Sequence, residues 1–94
     1  MAGGNYEYPL DQTWTMDEMM AVTTMYRVVE DAYEVGISPA KVLSAYQAFK
    51  QVANSKAYEK QLGREFYQAS GYQLYDVVKA AQTTTAKQIK LEVH

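Results

Sequence analysis

A helix stop and a helix start stand almost side by side in this sequence, at Gly36-Ile37-Ser38-Pro39. Glycine lacks Cβ and so takes the left-handed backbone past a helix end at little cost. Ser38 offers a hydroxyl to the free N–H groups of a new helix, and Pro39 suits the first helical position, where no N–H is needed. A connection this short predicts two helices folded back on each other as near-antiparallel neighbours.

The flanking residues carry the matching period. Thr15-Met16-Asp17-Glu18 reads as a capping box, with Trp14 and Met19 at the positions of a hydrophobic staple. Asp17 and Glu18 suit the positive end of the helix dipole. From there Met19, Val22, Tyr26, Val29 and Tyr33 step by threes and fours, and Met25, Val28, Ala32 and Val35 widen the same face. In the second helix Ile37 and Val42 form another staple, and Val42, Leu43, Tyr46, Phe49 and Ala53 give the inward stripe. Ser55 caps a third helix with Leu62, Phe66 and Ala69 inward, which ends at Gly71. A fourth, shorter helix is predicted over Tyr72 to Gln82, with Leu74, Tyr75, Val78 and Ala81 at helical spacing. Thr83-Thr84-Thr85 then disfavours continuation, because β-branched side chains lose freedom in a helix.

These signals predict an all-α fold: a four-helix up-and-down array with short connections and extended or loosely ordered termini. At 94 residues the chain suits a single domain. Its ordered core is predicted over about residues 8–82, with 83–94 as a tail. In that tail Ile89-Lys90-Leu91-Glu92-Val93 alternates apolar and polar with period two, a strand pattern, and Tyr6-Glu7-Tyr8 alternates as well. Pairing of the two, an extended coil, and a frayed or vector-derived end all remain open for residues 86–94.

The chemistry-bearing groups are sparse. The chain has no cysteine, which excludes disulfides, thiolate catalysis and cysteine-ligated zinc. Its one histidine is His94, at the chain end, a poor place to hold a general base. The five glycines show no phosphate-loop spacing. No apolar run approaches the ~20 residues of a membrane span, and the first residues lack the pattern of a signal peptide. Glu30, Asp31 and Glu34 cluster on the first helix, but no second helix offers a matching carboxylate pair. They read as a solvated face paired with Arg27 rather than a cation site. The sequence therefore predicts no catalytic residues, no metal ligands, no cofactor and no enzymatic activity, in a cytoplasmic protein without a membrane partner.

Two surface features stand out. Lys56, Lys60 and Arg64 recur every four residues and line one face of the third helix, where Lys50 and Lys41 could extend them. The charge is also uneven: residues 1–38 hold seven acids and one base, and residues 39–94 hold eight bases and four acids, within a net charge of −2. Such a ridge could track a phosphate backbone. The acidic total and the intervening Glu59 and Glu65 speak against it, and the asymmetry fits equally with two halves that attract each other. The second feature is the tyrosines, nine in all. Tyr26, Tyr33 and Tyr46 fall on inward stripes. Tyr67 falls off the stripe, Tyr72 and Tyr75 lie at the start of the fourth helix, and an exposed cluster there would mark a docking surface. The leading expectation is a non-enzymatic interaction or adaptor module that docks a second copy or another protein. The alternative is a weak nucleic-acid-associated protein using the basic ridge.

Several short motifs taken together point further. Tyr8-Pro9-Leu10-Asp11, Trp14-Thr15 with Glu18, Ala32-Tyr33-Glu34 with Gly36, Tyr46 with Phe49-Lys50, Ser55-Lys56 with Glu59-Lys60, Glu65-Phe66, and Ser70-Gly71-Tyr72 with Tyr75 resemble the YktA-like family. These are small uncharacterised proteins of Gram-positive bacteria. The resemblance spans about residues 8–82. It implies an all-helical cytoplasmic protein and brings no activity, cofactor, partner or functional residue with it.

Overall fold

The computed structural model describes residues 6–93. Four helices follow in order: α1 (Met16–Glu34), α2 (Pro39–Val52), α3 (Lys56–Ser70) and α4 (Leu74–Thr83). Their starts are those the caps predict. Thr15 and Glu18 close a reciprocal capping box, with the Thr15 hydroxyl accepting from Glu18 N–H at 3.1 Å and the Glu18 carboxylate from Thr15 N–H at 2.8 Å. Ser38 and Ser55 accept from the N–H groups of Lys41 and Tyr58. Gly36 and Gly71 end α1 and α3 with φ of +92° and +81°, the region glycine alone enters freely.

α4 departs from expectation at its start. It begins at Leu74, not Tyr72, and its N-cap Gln73 makes no side-chain cap. Residue 72 is spent on packing instead. The Tyr72 ring stacks on Tyr33 at 4.6 Å and is 3% exposed.

α2 packs on both α1 and α4, while α3 approaches the others less closely and reaches the core through long side chains. Val22, Met25, Val29, Val42, Phe49, Phe66, Val77 and Val78 are fully enclosed. Phe66 carries α3 into the core by stacking on Tyr26 at 4.5 Å with the rings 5° from parallel. Tyr6 and Tyr8 of the N-terminal segment close over that pair. Met19, Tyr33 and Leu43, expected inside, are only partly buried, and Val35 is exposed.

The tail has a definite place. Ile89 forms an isolated antiparallel bridge with Ile37 in the α1–α2 connection, at 3.0 and 2.8 Å, and both side chains are buried. Two residues on, Leu91 N–H donates to the Ala32 carbonyl at 2.9 Å. The last carbonyls of a helix have no partner within it, and this one is satisfied by the tail. The period-two pattern was thus a real signal, but its partner is Ile37 rather than Tyr6–Tyr8. Among the described residues this bridge is the extent of β structure. The ordered core therefore continues past residue 82.

Candidate functional site

The exposed side of α3 and the start of α4 enclose a groove of about 610 Å³. The tight turn at Gly71 brings the two together. Lys56, Lys60, Arg64 and Tyr67 line it from α3, Gln73, Leu74 and Tyr75 line it from the beginning of α4, and Glu59 and Gly63 complete it. Helical spacing sets Lys56, Lys60 and Arg64 one turn apart, about 6 Å per step. The fold thus unites the basic ridge with two of the three singled-out tyrosines. All three cations are exposed rather than turned onto α1. Tyr67 is 44% exposed and Tyr75 56%. The uncapped α4 N-terminus adds the positive end of its dipole to the same wall.

Tyr72 lies elsewhere. Its hydroxyl donates to Glu34 at 2.8 Å and its ring is inside, so it belongs to the core and not to a docking surface. Residue 72 lies before the helix, in the α3–α4 connection, which a helical reading of it misplaces. Lys50 sits over the Tyr46 ring at 4.8 Å and shares with Lys56 a separate hollow at the α2–α3 corner. Lys41 lies on the α1–α2 side and does not extend the ridge. His94 lies outside the described residues.

The acidic cluster on α1 also resolves differently from a solvated face. Glu30 accepts the hydroxyls of Tyr6 and, at 2.6 Å, Tyr8. Glu34 accepts Tyr72, and Glu59 accepts Tyr46. Burial, then the neighbouring Glu30 carboxylate, pushes the Tyr6 and Tyr8 hydroxyls well above the usual tyrosine range, and Tyr46 rises in the same way beside Glu59. No group of three or more His, Cys, Asp or Glu among the described residues could hold a metal ion.

The residue that sequence reasoning passed over is Gly63. It sits inside α3 without a positive φ, and a Cβ placed on it would meet nothing within 4 Å. A glycine inside an otherwise regular helical pattern was the available signal.

The comparisons with known proteins fit this frame. The model of an uncharacterised protein family, UPF0223, matches residues 5–90. The chain belongs to the UPF0223 family. A UPF0223 protein of Lactiplantibacillus plantarum is 45% identical over 86 residues, covering 92% of this chain and 89% of its own length. One of Enterococcus faecalis is 47% identical over 87 residues, covering 93% and 95%. One of Oceanobacillus iheyensis is 39% identical over 87 residues, covering 93% and 99%. The resemblance to small uncharacterised proteins of Gram-positive bacteria is borne out, and the UPF0223 match runs beyond residues 8–82 to include Tyr6 and Ile89.

Proposed function

We propose that the chain is a non-enzymatic docking module whose binding surface is the α3–α4 groove, and that it works in the cytoplasm without a cofactor. The observation that carries this reading is how the tyrosines divide. Seven of the nine engage their hydroxyls in hydrogen bonds within the fold; Tyr67 and Tyr75 are the exposed pair, and both lie in the groove. Exposed tyrosines beside an arginine are the residue types enriched at protein-recognition hot spots. The non-enzymatic part is supported by the groove's lining, which offers cations, amide, carboxylate and phenol groups but no nucleophile paired with a base. A nucleic-acid role is disfavoured by Glu59 within the groove and by the net charge of −2.

The test is a photoreactive amino acid placed at Tyr75 in living Gram-positive cells, with the exposed Gln51 on α2 as the control position. A protein crosslinked at residue 75, absent at residue 51 and lost on Arg64→Glu, is the expected result. Equal crosslinking at both positions, or none at 75, sinks the reading. A product of twice the chain's mass would identify a second copy as the partner.

A further inference from the structure

Gly63 has no explanation within the fold. Its backbone is ordinary helix, and no neighbouring atom stands where a side chain would go. A glycine inside a helix lowers that helix's stability by about 0.8–1.0 kcal/mol relative to alanine. What it does accomplish is external, because it puts no side chain into the groove that the cations and the two tyrosines line. A missing side chain on an exposed helix face lets another helix come close, toward the short end of the 8–10 Å range of axial separations.

The charges select what comes close. Lys56, Lys60 and Arg64 repeat at one-turn intervals over about 12 Å of helix. Carboxylates repeat with the same step when they stand four residues apart on a second helix. Glu59, the one acid in the groove, stands against these three cations, so the lining is cationic on balance. Tyr67 and Tyr75 supply apolar rings beside that row, where the apolar stripe of an amphipathic helix would rest.

We infer that this groove docks an acidic amphipathic helix of a partner protein, with glutamates or aspartates one turn apart against Lys56, Lys60 and Arg64 and an apolar edge against Tyr67 and Tyr75. The inference rests on the docking-module reading and names the chemistry of the partner.

The full chain is titrated against a fluorescein-labelled synthetic helix of about 16 residues, long enough to hold helical structure. The peptide carries glutamates at successive turns and leucines along the adjacent side. Two other probes run beside it, the same peptide with lysine for glutamate and an oligothymidylate. Binding of the acidic peptide is expected to weaken with salt and to fall at least about tenfold in Gly63→Leu and in Lys60→Glu. Lys79→Glu, an exposed change on α4 outside the groove, should leave it unaltered. Thermal melting of Gly63→Leu confirms that the variant is folded. Equal binding of the lysine peptide, tighter binding of the oligothymidylate, or full affinity in Gly63→Leu overturns the inference. Self-association of the chain that Gly63→Leu abolishes also overturns it, in favour of a second copy. Failure of the peptide alongside a surviving crosslink at residue 75 removes the acidic helix but leaves the docking module standing.

Discussion

The two sides of α3 use the same kinds of residue for opposite ends. On its inner side Phe66 stacks on Tyr26, Tyr6 and Tyr8 close over them, and Glu30 takes both their hydroxyls. On its outer side Tyr67 stands exposed with Tyr75 across the groove, beside three exposed cations. The ring contributes apolar area in both places. The difference lies in the hydroxyl and in the neighbouring charge. A phenol already held by a carboxylate is part of the fold, whereas an exposed one beside free cations is available to something else. Acidic α1 and basic α3 do not neutralise each other, because the acids that matter, Glu30 and Glu34, face tyrosines and the bases face solvent.

The sharpest way to break this contrast is to truncate one ring on each side. Phe66→Ala removes the ring that ties α3 to the core and should cost about 3–5 kcal/mol. Tyr75→Ala, at an exposed position, should change stability by no more than about 0.5 kcal/mol. Urea denaturation of the two variants measures both. Comparable losses would mean that the groove is part of the core.

A second comparison sets the tail against the helices. Ile89→Ala should cost about 2–4 kcal/mol, because the side chain is buried against the α1–α2 connection. A true frayed end would lose almost nothing. Hydrogen exchange offers a second view: the amides of Ile89 and Leu91, which donate to Ile37 and Ala32, should be protected in the wild-type chain and should exchange faster in the variant.

Next come the tyrosine hydroxyls. Glu30→Gln weakens the acceptor for Tyr6 and Tyr8 together and should lower stability by about 1–3 kcal/mol at neutral pH. Alkali should act on buried tyrosine hydroxyls as well. Burial holds the Tyr26 hydroxyl above the usual range, and burial with a carboxylate neighbour does so for Tyr6, Tyr8 and Tyr46. Each therefore keeps its proton in the folded chain after the unfolded chain has lost it. The stability they contribute is complete below about pH 10 and declines as pH rises beyond it, by about 1.4 kcal/mol per pH unit for Tyr26 alone. Unfolding followed by circular dichroism should coincide with tyrosinate absorbance from these residues. Full ionisation of all nine tyrosines in a chain that remains folded would contradict the assignment.

Much of this was legible in the sequence, and the reasons differ residue by residue. Thr15, Ser38 and Ser55 announce helix starts, and Gly36 and Gly71 announce ends, because capping is chemistry local to a few residues. The cationic row was legible for the same reason, since spacing alone places Lys56, Lys60 and Arg64 on one face. Its union with Tyr67 and Tyr75 was not, because it depends on the angle that the Gly71 turn imposes between α3 and α4. The tail's alternation showed an extended segment, but a period-two pattern does not name the strand it pairs with, and Ile37 outcompeted Tyr6–Tyr8. Tyr72 was misplaced by two residues of helix boundary, which was enough to move it from surface to core.

Gly63 gives the one expected gain and the cleanest division between the two sides of α3. If the glycine served the fold, adding a methyl group would cost stability through a clash or a strained backbone. Neither condition holds: its φ is not in the left-handed region and the space around its Cβ position is empty. Gly63→Ala should therefore stabilise the chain by about 0.5–1 kcal/mol, chiefly by restricting the unfolded chain and improving helix propensity. In a domain of this size that raises Tm by roughly 2–8 °C. A gain in stability from a substitution in the groove, set against losses from every substitution at Phe66, Glu30 and Ile89, is the pattern expected of a surface that sacrifices fold stability for recognition. A lower Tm in Gly63→Ala would return the glycine to the fold and remove the gap on which the docking of a helix in the groove rests.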